Sequence, residues 1–180
     1  MARFFLLRLL VRPWLVAAAL SLAGLAVAPT ARAVEGEWHL GARLGVATLT
    51  GSSLGPAADV HGAYELNDMF DVVANVTGSR QGGASGTDVL SASAGLAYKI
   101  DVFEFIPYVS ALGGYYRYSG LPGPNRGDRG DPGASLHVGL DYTPSRQLAF
   151  GADLGWHTMF HGLTFPQFTA LVGAEYRFGW

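Results

Sequence analysis

The amino-acid sequence predicts an all-β protein: an eight-stranded antiparallel up-and-down transmembrane β-barrel, preceded by a cleavable signal peptide. Eight segments alternate apolar and polar residues, their connections alternate between short and long, and the last segment, FTALVGAEYRFGW, ends in three aromatics on its apolar face. A period of two places alternate side chains on opposite faces of a strand. Beyond the first 33 residues, high hydrophobicity without a run of about 18 apolar residues therefore indicates strands rather than a spanning helix.

The first 33 residues have the three parts of a secretory signal. Three arginines give a positive start: Arg3, Arg8 and Arg12. Residues 14–27 form an apolar stretch that is short for a retained membrane anchor, the alternative interpretation, and residues 31–33 (ARA) fit a small-residue cleavage motif. The sequence therefore predicts a Sec-type signal peptide over residues 1–33 and one barrel domain over residues 34–180.

Composition narrows the range of functions. Without residues 1–33 the chain has 147 residues, of which eight are basic and fourteen acidic, a net charge of −6 with histidine neutral. No basic cluster is present, so nucleic-acid binding is not expected. The absence of cysteine excludes disulfides and thiol chemistry. We expect no cofactor.

The alternating segments define the strands in order. They lie at 38–46, 58–66, 70–76, 90–98, 106–118, 136–142, 148–156 and 168–180. Apolar residues occupy the even-numbered positions of each segment except the fifth, which is apolar on both faces. In that segment Arg117 indicates that the odd-numbered positions face the polar side.

The lengths of the connections set the orientation. Turns after the second, fourth and sixth segments are short, whereas three connections are longer and rich in Gly and Pro: 78–87, 119–133 and 159–166. Membrane barrels have short periplasmic turns and longer extracellular loops. An unpaired backbone group is very costly in lipid, so the first and last strands must pair. A soluble lipocalin-like barrel is the alternative, but its apolar residues would face inward, whereas here the inward set would hold the charges.

An eight-stranded barrel has a narrow interior that side chains fill. The residues expected to face it are His39, Arg43, Asp59, His61, Glu65, Asp71, Asn75, Lys99, Arg117, His137, Asp141, Asp153, His157, Glu175 and Arg177. Charges in such a space must pair. The predicted lumen charge network consists of Arg43, Asp59, Glu65, Asp153, Glu175 and Arg177. Within it we expect an Arg43–Glu175 pair with Asp153 nearby. A narrow conducting path is the alternative to a plugged lumen.

Neither a metal site nor a catalytic set is predicted. Four of the five histidines fall on the inward face, but their spacing forms no local metal-binding motif, and His39 and His157 lie near opposite ends. The stretch 156–161 offers two histidines without a serine partner, so no nucleophile, base and orienting group can be assembled from it. We therefore expect no enzymatic activity, and lipid A modification is the third-ranked function.

The connection at 119–133 contains two tandem Arg-Gly-Asp tripeptides. They are Arg126-Gly127-Asp128 and Arg129-Gly130-Asp131. This is the tripeptide that integrins recognise, so an adhesive loop that binds a surface ligand is one hypothesis. Gly, Pro, Asn and Asp are also ordinary turn formers, so a solvated loop without a ligand is the alternative.

The chain resembles the small OmpA/OmpX-like outer-membrane β-barrels of Gram-negative bacteria. The resemblance rests on the signal peptide, the eight-strand meander, the opening of the fifth segment (IPYV, 106–109) and the terminal aromatic strand. That strand also looks like the signal read by the outer-membrane assembly machinery, carried by Gly173, Tyr176, Phe178 and Trp180. The resemblance implies a porin-like monomer in the outer membrane, in contact with lipid and lipopolysaccharide, with a structural or surface-interaction role.

Overall fold

The computed structural model describes residues 36–49, 54–82, 86–100, 104–120, 128–160 and 166–179, so the predicted signal peptide lies outside the described residues. Eight strands fill these ranges: β1 (Trp38–Leu49), β2 (Gly55–Asn67), β3 (Phe70–Gln81), β4 (Thr87–Lys99), β5 (Phe105–Ser119), β6 (Arg129–Ser145), β7 (Leu148–Met159) and β8 (Gln167–Phe178). In the described ranges no helix has the length and hydropathy to cross a membrane.

The strands form one closed barrel in which each pairs with its sequence neighbours and β1 pairs antiparallel with β8. This confirms the predicted fold. Following paired residues around the barrel from Trp38 returns to β1 at Thr48, ten residues further along the strand. A stagger of this size tilts the strands and, with eight of them, leaves an interior that side chains can fill.

The two faces of the barrel differ as the alternation predicts. Outward-facing Leu44, Leu154 and Val172 are 63–68% exposed, whereas inward-facing Asp59 and Asp153 are only 1–2% exposed. A soluble barrel would bury the apolar set and expose the charges. The observed arrangement matches lipid outside and a polar interior, so the lipocalin-like alternative is excluded.

Aromatic pairs surround the end of the barrel that carries the short turns. Ring centroids lie 4.8 Å apart for Trp38–Tyr64, 5.3 Å for Phe70–Tyr98, 5.1 Å for Phe105–Tyr142 and 6.2 Å for Tyr176–Phe178. Amphipathic rings favour the boundary between lipid and water, and membrane barrels carry girdles of them. This band therefore marks the periplasmic interface.

The register predicted for β5 is wrong. Its even-numbered positions face inward: Tyr116 and Tyr118 are fully buried and Ile106 is 5% exposed. Arg117 faces outward, where its guanidinium pairs with the exposed Asp128. Hydrophobicity does not choose a face for a strand that is apolar on both. A contact across the lumen accompanies the observed face: the inward phenol of Tyr116 lies 3.2 Å from His157 Nδ1 on β7.

Candidate functional site in the barrel lumen

Arg43 of β1 faces the lumen and has polar contacts with side chains of two other strands. Its Nη1 atom is 3.6 Å from Asp153 Oδ2 on β7 and 3.9 Å from Asp59 Oδ1 on β2. Its Nη2 atom is 3.2 Å from His61 Nε2, also on β2. One guanidinium therefore spans the interior and connects β1, β2 and β7 beside the closing seam.

Glu175 of β8 is the second centre, and it does not pair directly with Arg43. Its Oε1 lies 3.3 Å from His39 Nδ1 and accepts a hydrogen bond from Arg177 Nε at 2.9 Å. Its Oε2 lies 3.2 Å from His61 Nε2. Arg43 and Glu175 are instead connected through His61, whose Nε2 atom lies 3.2 Å from Arg43 Nη2 and 3.2 Å from Glu175 Oε2.

The strand register explains why His61 takes this place. Glu175 pairs with Gly41 across the seam, and His61 pairs with Gly41 on the other side of β1. A Cβ atom on Gly41 would come within 2.4 Å of His61 Cε1, so the ring occupies the space that a side chain would fill. The imidazole consequently reaches across β1 to β8.

Glu65 belongs to a separate cluster nearer the periplasmic end. Lys99 Nζ of β4 lies 3.3 Å from Glu65 Oε1 on β2 and 3.1 Å from Asp71 Oδ1 on β3. Further inside, Arg177 Nη2 lies 3.9 Å from Asp141 Oδ2 on β6. Because each of these groups has an oppositely charged neighbour, the cost of burying it is reduced.

A hydrogen-bonded serine, histidine and aspartate also lie in the lumen. Asp153 Oδ1 is 2.9 Å from His137 Nδ1, and His137 Nε2 is 3.1 Å from Ser135 Oγ. The other oxygen of Asp153 accepts a hydrogen bond from Tyr108 at 2.9 Å. This order of contacts is that of a nucleophile, a base and an orienting group, and it lies outside the stretch 156–161 that the sequence analysis considered. The pairing of β6 with β7 brings Asp153 next to Ser135 and His137, which are distant from it in sequence. The only sequence signal for this set is the Ser-x-His spacing, which places both side chains on one face of β6.

The free space at this site is small. A cavity of about 50 Å³ lies among the lumen charges, and Arg43, His137 and Asp153 are among the residues that line it. This volume holds a few water molecules. Ser135 is 1% exposed and does not line the cavity.

The four inward histidines do not converge on one point. His39 and His61 both contact Glu175, whereas the rings of His137 and His157 meet edge to face with centroids 5.1 Å apart. His157 Nε2 also lies 3.2 Å from Thr169 Oγ1. The histidines thus form two pairs at different heights of the lumen.

The tandem tripeptides end up in different environments. Arg126 and Gly127 lie outside the described residues, and Asp128 is exposed. The second tripeptide is not loop but the start of β6: Asp131 faces inward, is 6% exposed and accepts a hydrogen bond from Arg129 Nε at 2.7 Å. The prediction of a loop that displays both tripeptides is therefore wrong for 129–131, because strand pairing with β5 continues to Arg129.

The residues assigned to an assembly signal lie at the seam. Gly173 pairs with Arg43, and a Cβ atom there would come within 2.0 Å of the Ala42 carbonyl oxygen, so the close approach of β8 to β1 requires glycine. Tyr176 faces outward and stacks on Phe178 in the aromatic band. Trp180 lies outside the described residues. Recognition by the assembly machinery stays a prediction.

Asp153→Asn tests the importance of the lumen contacts. The substitution removes the charge that faces Arg43 and His137, so we expect the free energy of unfolding to fall by about 3–5 kcal/mol. The matched control is Asp88→Asn, whose partner Arg80 lies 3.6 Å away and whose side chain is 52% exposed; there we expect about 0–1 kcal/mol. Urea unfolding of the barrel in lipid vesicles measures both, and equal effects would contradict the prediction.

Comparison with known proteins identifies the family of this barrel. A model of the outer membrane protein beta-barrel domain matches residues 17–178. No curated protein of similar sequence was found. Among similar solved structures, Neisserial surface protein A is 16% identical, with a TM-score of 0.65 over 79% of this chain and 97% of its own. Ail of Yersinia pestis is 18% identical, with a TM-score of 0.51 over 79% of this chain and 97% of its own. The outer membrane enzyme PagL is 11% identical, with a TM-score of 0.50 over 76% of this chain and 97% of its own. These identities show a shared fold alone. The family match covers most of the chain, which therefore belongs to the outer membrane protein beta-barrel domain family.

Proposed function

We propose that this outer-membrane barrel has a structural and surface-interaction role, with a lumen closed by its own side chains. The observation that carries the proposal is the position of Arg43, whose guanidinium lies 3.6 Å from Asp153 and 3.2 Å from His61 across the interior. A permeating ion would have to displace these contacts or pass through a cavity of about 50 Å³. Both routes carry a high desolvation cost.

Exposed charged side chains at one end of the barrel could contact a surface ligand. The long connections lie at the end opposite the aromatic band, which is the extracellular end in barrels of this kind. Two exposed ion pairs lie there, Arg117–Asp128 and Arg80–Asp88. Two proteins of similar fold are named a surface protein and an attachment invasion locus protein. These names support a role at the cell surface and do not identify a ligand.

Conductance separates a closed lumen from a narrow channel. We expect no unitary current steps from the purified barrel in planar bilayers, because ion pairs fill its interior. Current steps that change in Arg43→Ala and persist in Arg80→Ala, where the side chain is outward, would instead establish a path through the lumen.

A binding assay tests the adhesive part of the role. We expect a non-adherent Gram-negative strain that displays the barrel to bind cultured epithelial cells more than a vector control. Asp128→Ala should reduce this binding, since Asp128 is the exposed acid of the first tripeptide. Asp88→Ala is the matched control, because Asp88 is similarly exposed, acidic and paired with an arginine. No binding above vector would reject adhesion, and equal binding by both variants would reject the tripeptide.

Ester hydrolysis, the chemistry of lipid A deacylation, is the second candidate function. One observation favours it: Ser135, His137 and Asp153 have the hydrogen-bond order of a nucleophile, a base and an orienting group. Substrate access argues against it. Ser135 is buried inside the lumen, and the adjacent cavity is too small for an acyl chain.

A fluorophosphonate probe tests this second function. We expect no labelling of the folded barrel, because the probe cannot reach Ser135 Oγ. Labelling of the wild type that disappears in Ser135→Ala but persists in Ser110→Ala, another buried lumen serine, would establish an accessible nucleophile.

A further inference from the structure

We propose that Glu37, His39 and Glu65 bind a divalent transition-metal ion of the zinc class at the periplasmic mouth of the barrel. The three side chains offer one ligand atom each, and these atoms all lie within 4.8 Å of one another. In the described part of the chain this is the one group of three or more such side chains. It joins β1 and the residue before it to β2.

His39 is the group that points to a ligand. Its side chain is only 4% exposed, and its Nδ1 atom faces Glu175 Oε1 at 3.3 Å. Its Nε2 atom is buried and has no hydrogen-bond partner. A buried polar nitrogen without a partner destabilises the folded state. A metal ion bound to Nε2 would remove that destabilisation.

Glu175 prepares the imidazole for metal binding. When the Nδ1–H group donates a hydrogen bond to the carboxylate, the lone pair is on Nε2, which is the tautomer that a metal requires. Metal-bound histidines nearly always have such a carboxylate or carbonyl on the other ring nitrogen. Glu175 is itself held in place by Arg177 Nε at 2.9 Å and His61 Nε2 at 3.2 Å. The ring therefore has a fixed orientation before any ion arrives.

The two glutamates face each other across paired strands. The Glu65 amide donates to the Glu37 carbonyl at 2.9 Å, which fixes their backbones side by side. Lys99 lies 3.3 Å from Glu65 Oε1, and Arg146 lies 3.6 Å from Glu37 Oε1. A carboxylate has two oxygens, so it can contact a cation with one and a metal with the other. Ligands around tetrahedral zinc lie about 3.3 Å apart. The three ligand atoms lie within 4.8 Å of one another, so binding requires only a small rotation of the glutamate side chains.

The donor set favours zinc over calcium or magnesium. One imidazole nitrogen and two carboxylates leave a fourth tetrahedral position for water. Calcium prefers six to eight oxygen ligands, and magnesium prefers octahedral oxygen coordination. The four inward histidines do not form this site together. A single histidine of β1 completes it with Glu37, which precedes β1, and Glu65 of β2.

Titration of the barrel, purified in detergent from outer membranes, tests the site. We expect isothermal titration with ZnCl₂ to show one saturable ion per chain, with little competition from Mg²⁺ or Ca²⁺. His39→Gln and Glu65→Gln should abolish saturable binding. Glu175→Gln should weaken it by about 10–100-fold, because the orienting carboxylate is lost. His157→Gln, which changes a buried histidine outside the group, should leave it unchanged.

Folding is checked in every variant by the heat-dependent shift in gel mobility, so a lost site is distinguished from a lost fold. Absence of saturable zinc uptake by the folded wild type would overturn the proposal. So would folded His39→Gln with wild-type affinity, which would assign the zinc to other side chains.

Discussion

Backbone hydrogen bonding in lipid is the constraint on which the rest of this structure depends. No water is present in the hydrocarbon core to satisfy an open strand edge, so β8 must pair with β1 along its length, and it does from Trp38–Phe178 to Leu49–Gln167. Closure then separates the two faces. Apolar side chains face lipid. Nearly every charged residue in the middle of a strand faces the narrow lumen, where it needs an oppositely charged partner.

That requirement accounts for the layered organisation of the interior. Near the periplasmic end, Lys99 contacts Glu65 and Asp71. In the next layer, Glu175 contacts His39, His61 and Arg177. Further in, Arg43 contacts Asp59 and Asp153. These layers connect strands that are not neighbours in sequence. Glycines at Gly41 and Gly173 provide the space for the contacts across the seam. The closed lumen and the metal site that we propose both arise from this packing of charges.

Much of the fold was predictable from local pattern, and the candidate sites were less so. Period-two alternation identified all eight strands and the inward face of seven, because burial in lipid selects strongly by polarity. It failed for β5, where both faces are apolar and Arg117 reaches water at the strand end instead of entering the lumen. It also missed Ser135–His137–Asp153 and Glu37–His39–Glu65, since each set joins different strands or lies beyond a strand end.

The sequence by itself determined that the chain is a closed barrel with an apolar exterior, because alternation and backbone pairing are properties of single strands and their neighbours. Only the tertiary structure decided which charges meet. Stagger around the barrel sets the height of each inward side chain, and a shift of two residues along one strand would give Arg43 different partners. Single-strand patterns carry no information on that stagger. The placement of His61 between Arg43 and Glu175, and of Asp131 inside the lumen, follows from it.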